Sequence, residues 1–185
     1  QRKIHSYKIN LRDILGLTNK KNLPEIRLKH PLLLEDGSIL VILSGGGYKS
    51  IVKLDNCGDL VLKNDEIRAH HSLEVDNRGY IYFPIHLSKK NISEDQEMHS
   101  DNYLFDGFAI ANKNLEIKKK YSMMDIYLKN NLEADIYGNQ SLINDPFHLN
   151  DVQPFSSADE GNYVLLSMKG HSRIMALDIN SEKVL

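Results

Sequence analysis

Short apolar stretches alternate with polar turns along most of the chain, a pattern that predicts β-hairpins rather than helices. Three segments share one arrangement: an alternating apolar strand, a turn of Asp, Asn, Gly, Ser or Lys residues, and a second apolar strand. These segments are Ser50–Lys63, Gly107–Lys120 and Arg173–Leu185. An internal repeat of this kind indicates one supersecondary unit that is stacked several times.

A histidine introduces the hairpin that precedes each of these segments. His30 opens HPLLLEDGSILVIL, His71 opens HSLEVDNRGYIYFP, and His148 opens HLNDVQPFSSADEGNYVLLS. Each pair of hairpins makes four antiparallel strands, and a four-stranded unit of about forty residues is typical of a β-propeller blade. We therefore predict an all-β fold, a β-propeller with three visible blades at approximately residues 28–64, 68–121 and 147–185.

The remaining residues are predicted to extend or connect the blades of a single propeller domain. Residues 1–27 form an N-terminal extension and residues 122–146 an insertion between blades. Helices are expected near residues 10–17 and 122–132, and the long polar segment His86–Asp106 is expected to form an excursion loop. Propellers typically close with about four to eight blades, so the pattern favours a partial propeller from a longer chain. A dimer of half-rings is the alternative.

Composition and charge exclude some function classes. The formal net charge is −2 on 185 residues, which offers no field for nucleic acid or an anionic membrane. No apolar segment has the length of a membrane span. Cys57 is the only cysteine, so an internal disulfide is impossible. We expect no nucleic-acid partner and no membrane span.

The repeat gives a geometric reason for the three histidines to meet. The first strand of each propeller blade lines the central channel, and His30, His71 and His148 stand at the start of that strand. His70 lies beside His71, and strand alternation directs only one of the two inward. The alternative is that each histidine is a hydrogen-bonded structural group.

Basic residues are predicted on the same rim as His148. The loop between the second and third strands of the last unit carries Lys169, His171 and Arg173. Cations and histidines together suit an anion such as sulfate, phosphate or carboxylate, because Lys and Arg supply charge-assisted hydrogen bonds. Neutral histidine can transfer a proton near neutral pH or attack as a nucleophile.

Two further interpretations concern the surroundings of these histidines. Asn150 and Asp151 follow His148 closely, and either could orient a ring or a ligand. Three histidines could also bind Zn²⁺, but we expect no metal because carboxylates that would orient the rings are not obvious. The histidines in polar settings are expected at the surface: His5, His86 and His99.

Two segments resemble the arylsulfotransferase family of β-propeller proteins. DPFHLNDVQPF, followed by EGNYVLLSMKGHSRIMALDINSEKVL, is similar to a family segment in which a strand containing His and Asn precedes Ser-x-Arg and an apolar strand. HHSLEVDNRGYIYFP resembles an earlier His-led strand of that family. The resemblance implies a six-bladed propeller with its site in the central channel. It also implies sulfate transfer from a phenolic sulfate ester to another phenol, through a sulfated histidine and without a metal or nucleotide cofactor.

Carried onto this chain, the resemblance makes His71 and His148 the catalytic, sulfate-binding positions. Lys169 stands where the family has Arg, which keeps the charge but loses the bidentate fork, and Arg173 or His171 could compensate. The sulfated histidine of the family lies in a later blade, and nothing in this sequence matches it. The expected substrate-binding set is His70, Asn150, Lys169, His171 and Arg173.

The expected ligand is a small anion resembling an aryl sulfate, and the resemblance suggests a periplasmic or extracellular location. Two alternatives remain open at this point. One is a non-catalytic propeller that binds a small anion, a glycan or a protein. The other is a metal-dependent propeller enzyme.

Overall fold

Three four-stranded antiparallel sheets form the architecture of the protein. The computed structural model describes residues 5–17, 24–87, 104–138, 144–156 and 162–185. Each sheet is formed by strands that are consecutive in the chain and hydrogen-bonded in chain order. Sheets of this kind with few helices confirm the expected fold class, all-β with propeller-type blades.

The first sheet consists of β1 (Arg27–Leu33), β2 (Ile39–Gly45), β3 (Tyr48–Leu54) and β4 (Leu60–Asn64). Its two central strands carry apolar residues on both faces, so they bury most of their side chains. The outer strands remain more exposed. The sheet therefore has one covered centre and two solvated edges.

The second sheet consists of β5 (Glu74–Val75), β6 (Ile81–Leu87), β7 (Phe105–Ala111) and β8 (Ile117–Ser122). Every residue of β7 is buried, which matches its nearly continuous apolar sequence.

The expected excursion loop at residues 86–106 is wrong at both ends. His86 belongs to β6 and Asp106 to β7, and the two residues are register partners across these strands. The two strands continue further than the polar composition of the insertion suggested, because backbone pairing does not depend on side-chain polarity. Residues 88–103, the rest of that prediction, lie outside the described residues.

The third sheet consists of β9 (Leu149–Ser156), β10 (Asn162–Met168), β11 (Arg173–Asp178) and β12 (Lys183–Val184). Strand β9 packs against β6 of the second sheet, which brings the start of the third unit close to the end of β6.

Within the described ranges, three short helices accompany the sheets: α1 (Leu11–Leu15), α2 (Met123–Lys129) and α3 (Glu133–Gly138). The first two were expected, and side-chain caps explain where they begin. Asn10 accepts a hydrogen bond from the Arg12 amide, and Ser122 accepts one from the Asp125 amide. Helix α3 was not predicted. No helix in the described residues is long and apolar enough to cross a membrane.

A large buried cluster joins the three sheets and α2. It includes Phe83, Phe108, Leu149 and Leu166, all fully buried, together with Tyr127 of α2. Each such side chain contributes about 1.5–3 kcal/mol through burial. The cluster fixes β6, β7 and the start of β9 against one another, and the candidate site is built on these three elements.

Candidate functional site

The three repeated histidines share an unusual backbone conformation. The φ angle is 45° at His30, 64° at His71 and 44° at His148. This left-handed region costs a residue other than glycine about 1–2 kcal/mol, and such strain tends to cluster at functional sites. Equal conformation at equal positions supports the equivalence of the three histidines that the repeat predicted.

Four imidazole rings form a continuous row. The ring centroids are 5.2 Å apart for His71 and His148, 5.0 Å for His70 and His71, and 4.1 Å for His70 and His86. We refer to these four residues as the histidine group. His30 has a different neighbour, because its Nε2 is 3.3 Å from a carboxylate oxygen of Glu74.

His148 is held from both its ring and its backbone. Its Nδ1 is bonded to Oδ2 of Asp145, and its backbone amide donates to Oδ1 of the same carboxylate, over 3.2 Å. The amide of Lys169 donates to the His148 carbonyl oxygen over 3.1 Å. Because Asp145 occupies Nδ1, Nε2 is the ring nitrogen of His148 that can meet a substrate.

Asp106 lies beside the rings of His70 and His86 and is 1% exposed. Its Oδ2 accepts a hydrogen bond from the Leu149 amide over 2.7 Å. Its Oδ1 is 3.5 Å from Nε2 of His70 and 3.4 Å from Nε2 of His86, but neither contact is a hydrogen bond. A buried polar atom without a hydrogen bond costs about 1–3 kcal/mol, so this arrangement calls for an explanation.

Lys49 extends the site toward the first sheet. Its Nζ lies 3.2 Å from Nδ1 of His86, and because an ammonium can only donate, Nδ1 is the acceptor. In the neutral ring the proton of His86 is therefore on Nε2, which faces Asp106. This contact places a residue at the start of β3 beside the histidine group.

Burial keeps most of these rings neutral at pH 7. Desolvation lowers the pKa of His70 and of His71 to about 4 and that of His86 to about 3. Desolvation also raises the pKa of Asp106 well above its usual range and lowers that of Lys49. The positive charge of Lys29 acts on His71, and that of Arg68 acts on His86. The site thus combines three neutral imidazoles with the positive charges that act on them.

The other residues predicted from the sequence lie in varied positions. Lys169 is exposed, and Asn150 is partly buried in β9. His171 bonds through Nδ1 to the hydroxyl of Tyr127 over 2.9 Å, and burial lowers its pKa. Arg173 pairs with Asp135 of α3. His171 and Arg173 therefore contact residues of α2 and α3.

Sequence reasoning did not assign His86, Asp106 or Asp145 to the site. His86 was expected at the surface, which is wrong, because its side chain is 14% exposed and packs against His70. Asp106 has a usable signal, since it is the one carboxylate in the apolar run LFDGFAIA. Asp145, rather than Asp151, orients His148, and Asp151 instead accepts from the next backbone amide. His5 is exposed as expected, and His99 lies outside the described residues.

Comparison with known proteins agrees with the resemblance noted in the sequence. The family model described as Arylsulfotransferase (ASST) matches residues 30–185, which is most of the chain. No curated protein and no solved structure matches this chain. The matched residues include all three sheets except the first three residues of β1. They also include all four members of the histidine group. The chain therefore belongs to the arylsulfotransferase (ASST) family.

Proposed function

We propose that the protein transfers a sulfuryl group from an aryl sulfate ester to a phenolic acceptor, with His71 and His148 at the reacting centre. Family membership supports an arylsulfotransferase-like function. The single observation that carries the finer proposal is the Asp145–His148 pair beside His71, because an imidazole fixed at Nδ1 by a carboxylate offers Nε2 for reaction.

In the first step, the Nε2 lone pair of His148 attacks the sulfur of the aryl sulfate. An N–S bond forms, the S–O bond to the aryl group breaks, and the aryl oxygen leaves as a phenolate. Asp145 stabilises the positive charge that develops on the imidazole, as the carboxylate of a catalytic triad does. His71 donates its ring N–H to an oxygen of the sulfuryl group.

In the second step, the oxygen of the acceptor phenol attacks the same sulfur. An O–S bond forms, the N–S bond breaks, and the acceptor releases its proton to solvent, from which the departed phenolate takes one. The positive charges of Lys29, Lys49 and Arg68 act on the histidine group and would stabilise the charge on the sulfuryl oxygens. The substrate-binding roles of His70, Asn150, Lys169, His171 and Arg173 stay predictions.

The proposal assigns the nucleophile differently from the resemblance. The resemblance places the sulfated histidine in a later blade, whereas the proposal takes His148, because Asp145 bonds both its ring and its backbone amide. The transfer needs no nucleotide, and the absence of a cofactor requirement likewise stays a prediction.

Arg173 favours a second candidate, a non-catalytic module that binds a small anion. Its guanidinium pairs with Asp135, so a cation that was suggested to bind the sulfuryl oxygens already has a carboxylate partner. The cations around neutral imidazoles would still hold an anion electrostatically. Such a module binds an aryl sulfate without turning it over.

An assay with para-nitrophenyl sulfate and a phenol acceptor tests both candidates. We expect release of nitrophenolate that depends on the acceptor, and loss of that release in His148→Gln. His5→Gln, at an exposed histidine bonded to the Asn56 carbonyl oxygen, is the matched control and retains turnover. Saturable binding of the ester without turnover would replace the enzyme proposal with the binding module.

A further inference from the structure

The second sheet buries a set of metal-ligating atoms beside the proposed reaction centre. His86 of β6 and Asp106 of β7 are brought together by strand register, as direct partners. His70 joins them because its backbone amide donates to the Pro84 carbonyl oxygen, two residues before His86, over 3.1 Å. Two strands of one sheet and the segment before β5 therefore bring two imidazoles and a carboxylate close together.

Several of these atoms have no hydrogen-bond partner in the described structure. Both ring nitrogens of His70 and Oδ1 of Asp106 are buried and unbonded. The side chains are 6% and 1% exposed, respectively. Buried polar groups are nearly always satisfied, so an unbonded group indicates strain, a chemical role, or an ion or water that completes it.

The spacing of the atoms fits a bound metal ion. The Asp106 Oδ1 atom is 3.5 Å from His70 Nε2 and 3.4 Å from His86 Nε2. Two ligands of a tetrahedral ion with bonds of about 2.1 Å are about 3.4 Å apart. The three ligand atoms of the set lie within 4.8 Å of one another.

We propose that His70, His86 and Asp106 bind one divalent transition-metal ion, of which Zn²⁺ is the best match to two imidazoles and a carboxylate. Imidazole ligands favour Zn²⁺, Cu²⁺, Ni²⁺ and Fe²⁺ over Mg²⁺ and Ca²⁺. This set differs from the channel histidines that the sequence suggested for zinc, since neither His71 nor His148 contributes a ligand.

Lys49 gives the proposal a distinctive signature. A metal-bound histidine usually donates its second ring N–H to a carboxylate, a carbonyl or water. In this structure the second nitrogen of His86, Nδ1, accepts from Lys49 Nζ. A metal at Nε2 moves the ring proton to Nδ1, so the Lys49 contact has to break. Removal of the Lys49 ammonium therefore strengthens metal binding, whereas it weakens binding of an anion at the same place.

The bound ion holds the start of β9 in position. Oδ2 of Asp106 accepts from the amide of Leu149, the residue after His148, over 2.7 Å. An ion on Oδ1 of the same carboxylate restrains that hydrogen bond, and an ion that binds only the folded state raises the unfolding temperature. The role is structural and positioning, separate from the sulfuryl transfer proposed above.

The test uses the purified protein, stripped with a chelator and titrated with Zn²⁺ alone. We expect about one Zn²⁺ per chain by calorimetry and elemental analysis, and a metal-dependent rise in the unfolding temperature. His70→Gln and Asp106→Asn are expected to weaken binding by roughly 100-fold or more. Asp106→Asn keeps a carbonyl oxygen for the Leu149 amide, and His5→Gln is the control that leaves binding unchanged.

Lys49→Met decides between a metal and an anion at this place. Tighter Zn²⁺ binding, by roughly tenfold, supports the proposal. Sub-stoichiometric binding by the unchanged protein overturns it, and this result does not depend on whether a variant folds. Zn²⁺ binding that survives both ligand substitutions also overturns it, as does stabilisation by sulfate rather than Zn²⁺ that Lys49→Met removes. None of these measurements involves turnover, so the sulfuryl-transfer proposal can fail or stand independently.

Discussion

His30 and His148 occupy the same position in two repeats and have the same backbone conformation, but their surroundings differ. His148 packs against His71, and its carboxylate partner, Asp145, comes from its own loop, three residues earlier. His30 is 37% exposed, and its partner, Glu74, comes from the neighbouring sheet. The repeat therefore sets where a histidine stands, and the loops around it set what that histidine can do.

Replacement of His148 is expected to have the largest effect. His148→Gln removes the Nε2 lone pair and should lower kcat/KM by at least about 10²-fold, since positioned acid, base or nucleophilic groups contribute that much or more. His30→Gln is the matched change in the first repeat and should leave kcat/KM close to that of the unchanged protein. Equal losses in the two variants would remove the distinction between the repeats.

Loss of the carboxylate partner is expected to rank second. Asp145→Asn keeps the shape of the side chain but favours the wrong tautomer of His148, so kcat should fall by about 10²-fold with a smaller change in KM. Glu74→Gln, the corresponding change beside His30, should leave both constants nearly unchanged. A rise in KM with kcat unchanged would assign Asp145 to substrate binding instead.

A glycine close to the His148 loop provides a third comparison. A Cβ at Gly170 would overlap the Pro146 carbonyl oxygen, so Gly170→Ala should displace the segment that carries His148. We expect a loss of about 1–3 kcal/mol in the free energy of unfolding, measured with denaturant, together with lower activity. At Gly79 a Cβ meets no atom within 4 Å but φ is 82°, so Gly79→Ala should cost stability without lowering activity.

The smallest effect is expected at Arg173. Arg173 pairs with Asp135, and both side chains are partly exposed. Arg173→Met should therefore change the free energy of unfolding by about 1 kcal/mol or less and leave kcat nearly unchanged. A large loss of kcat would instead indicate that Arg173 binds the sulfuryl group, the compensating role suggested by the resemblance. Asp135→Asn removes the ion pair but keeps Arg173, so it separates the two effects.

The fold was largely predictable because its signals are local. Alternating apolar residues and Asp/Gly turns define each hairpin, and the observed strands follow them in all three sheets. The same holds for the two helices with side-chain caps. Helix α3 carries no comparable cap in its sequence, and it was missed.

The site was only partly predictable because its contacts are not local. His71 and His148 could be paired through the repeat, but His86 and Asp106 meet through strand register across a long insertion. Asp145 precedes β9, whereas Asp151, which the sequence suggested, follows His148 within that strand. Register and loop closure decide such contacts, and neither is encoded by a short pattern.

The most direct test of the account is to locate the sulfuryl group during turnover. The protein is mixed with para-nitrophenyl sulfate in the absence of an acceptor, quenched at alkaline pH, and analysed by peptide mass spectrometry. The account predicts one added SO₃ on the peptide that contains His148, discharged when a phenol acceptor is supplied. An adduct on a different residue, or release of nitrophenolate with equal efficiency by His148→Gln, would contradict it.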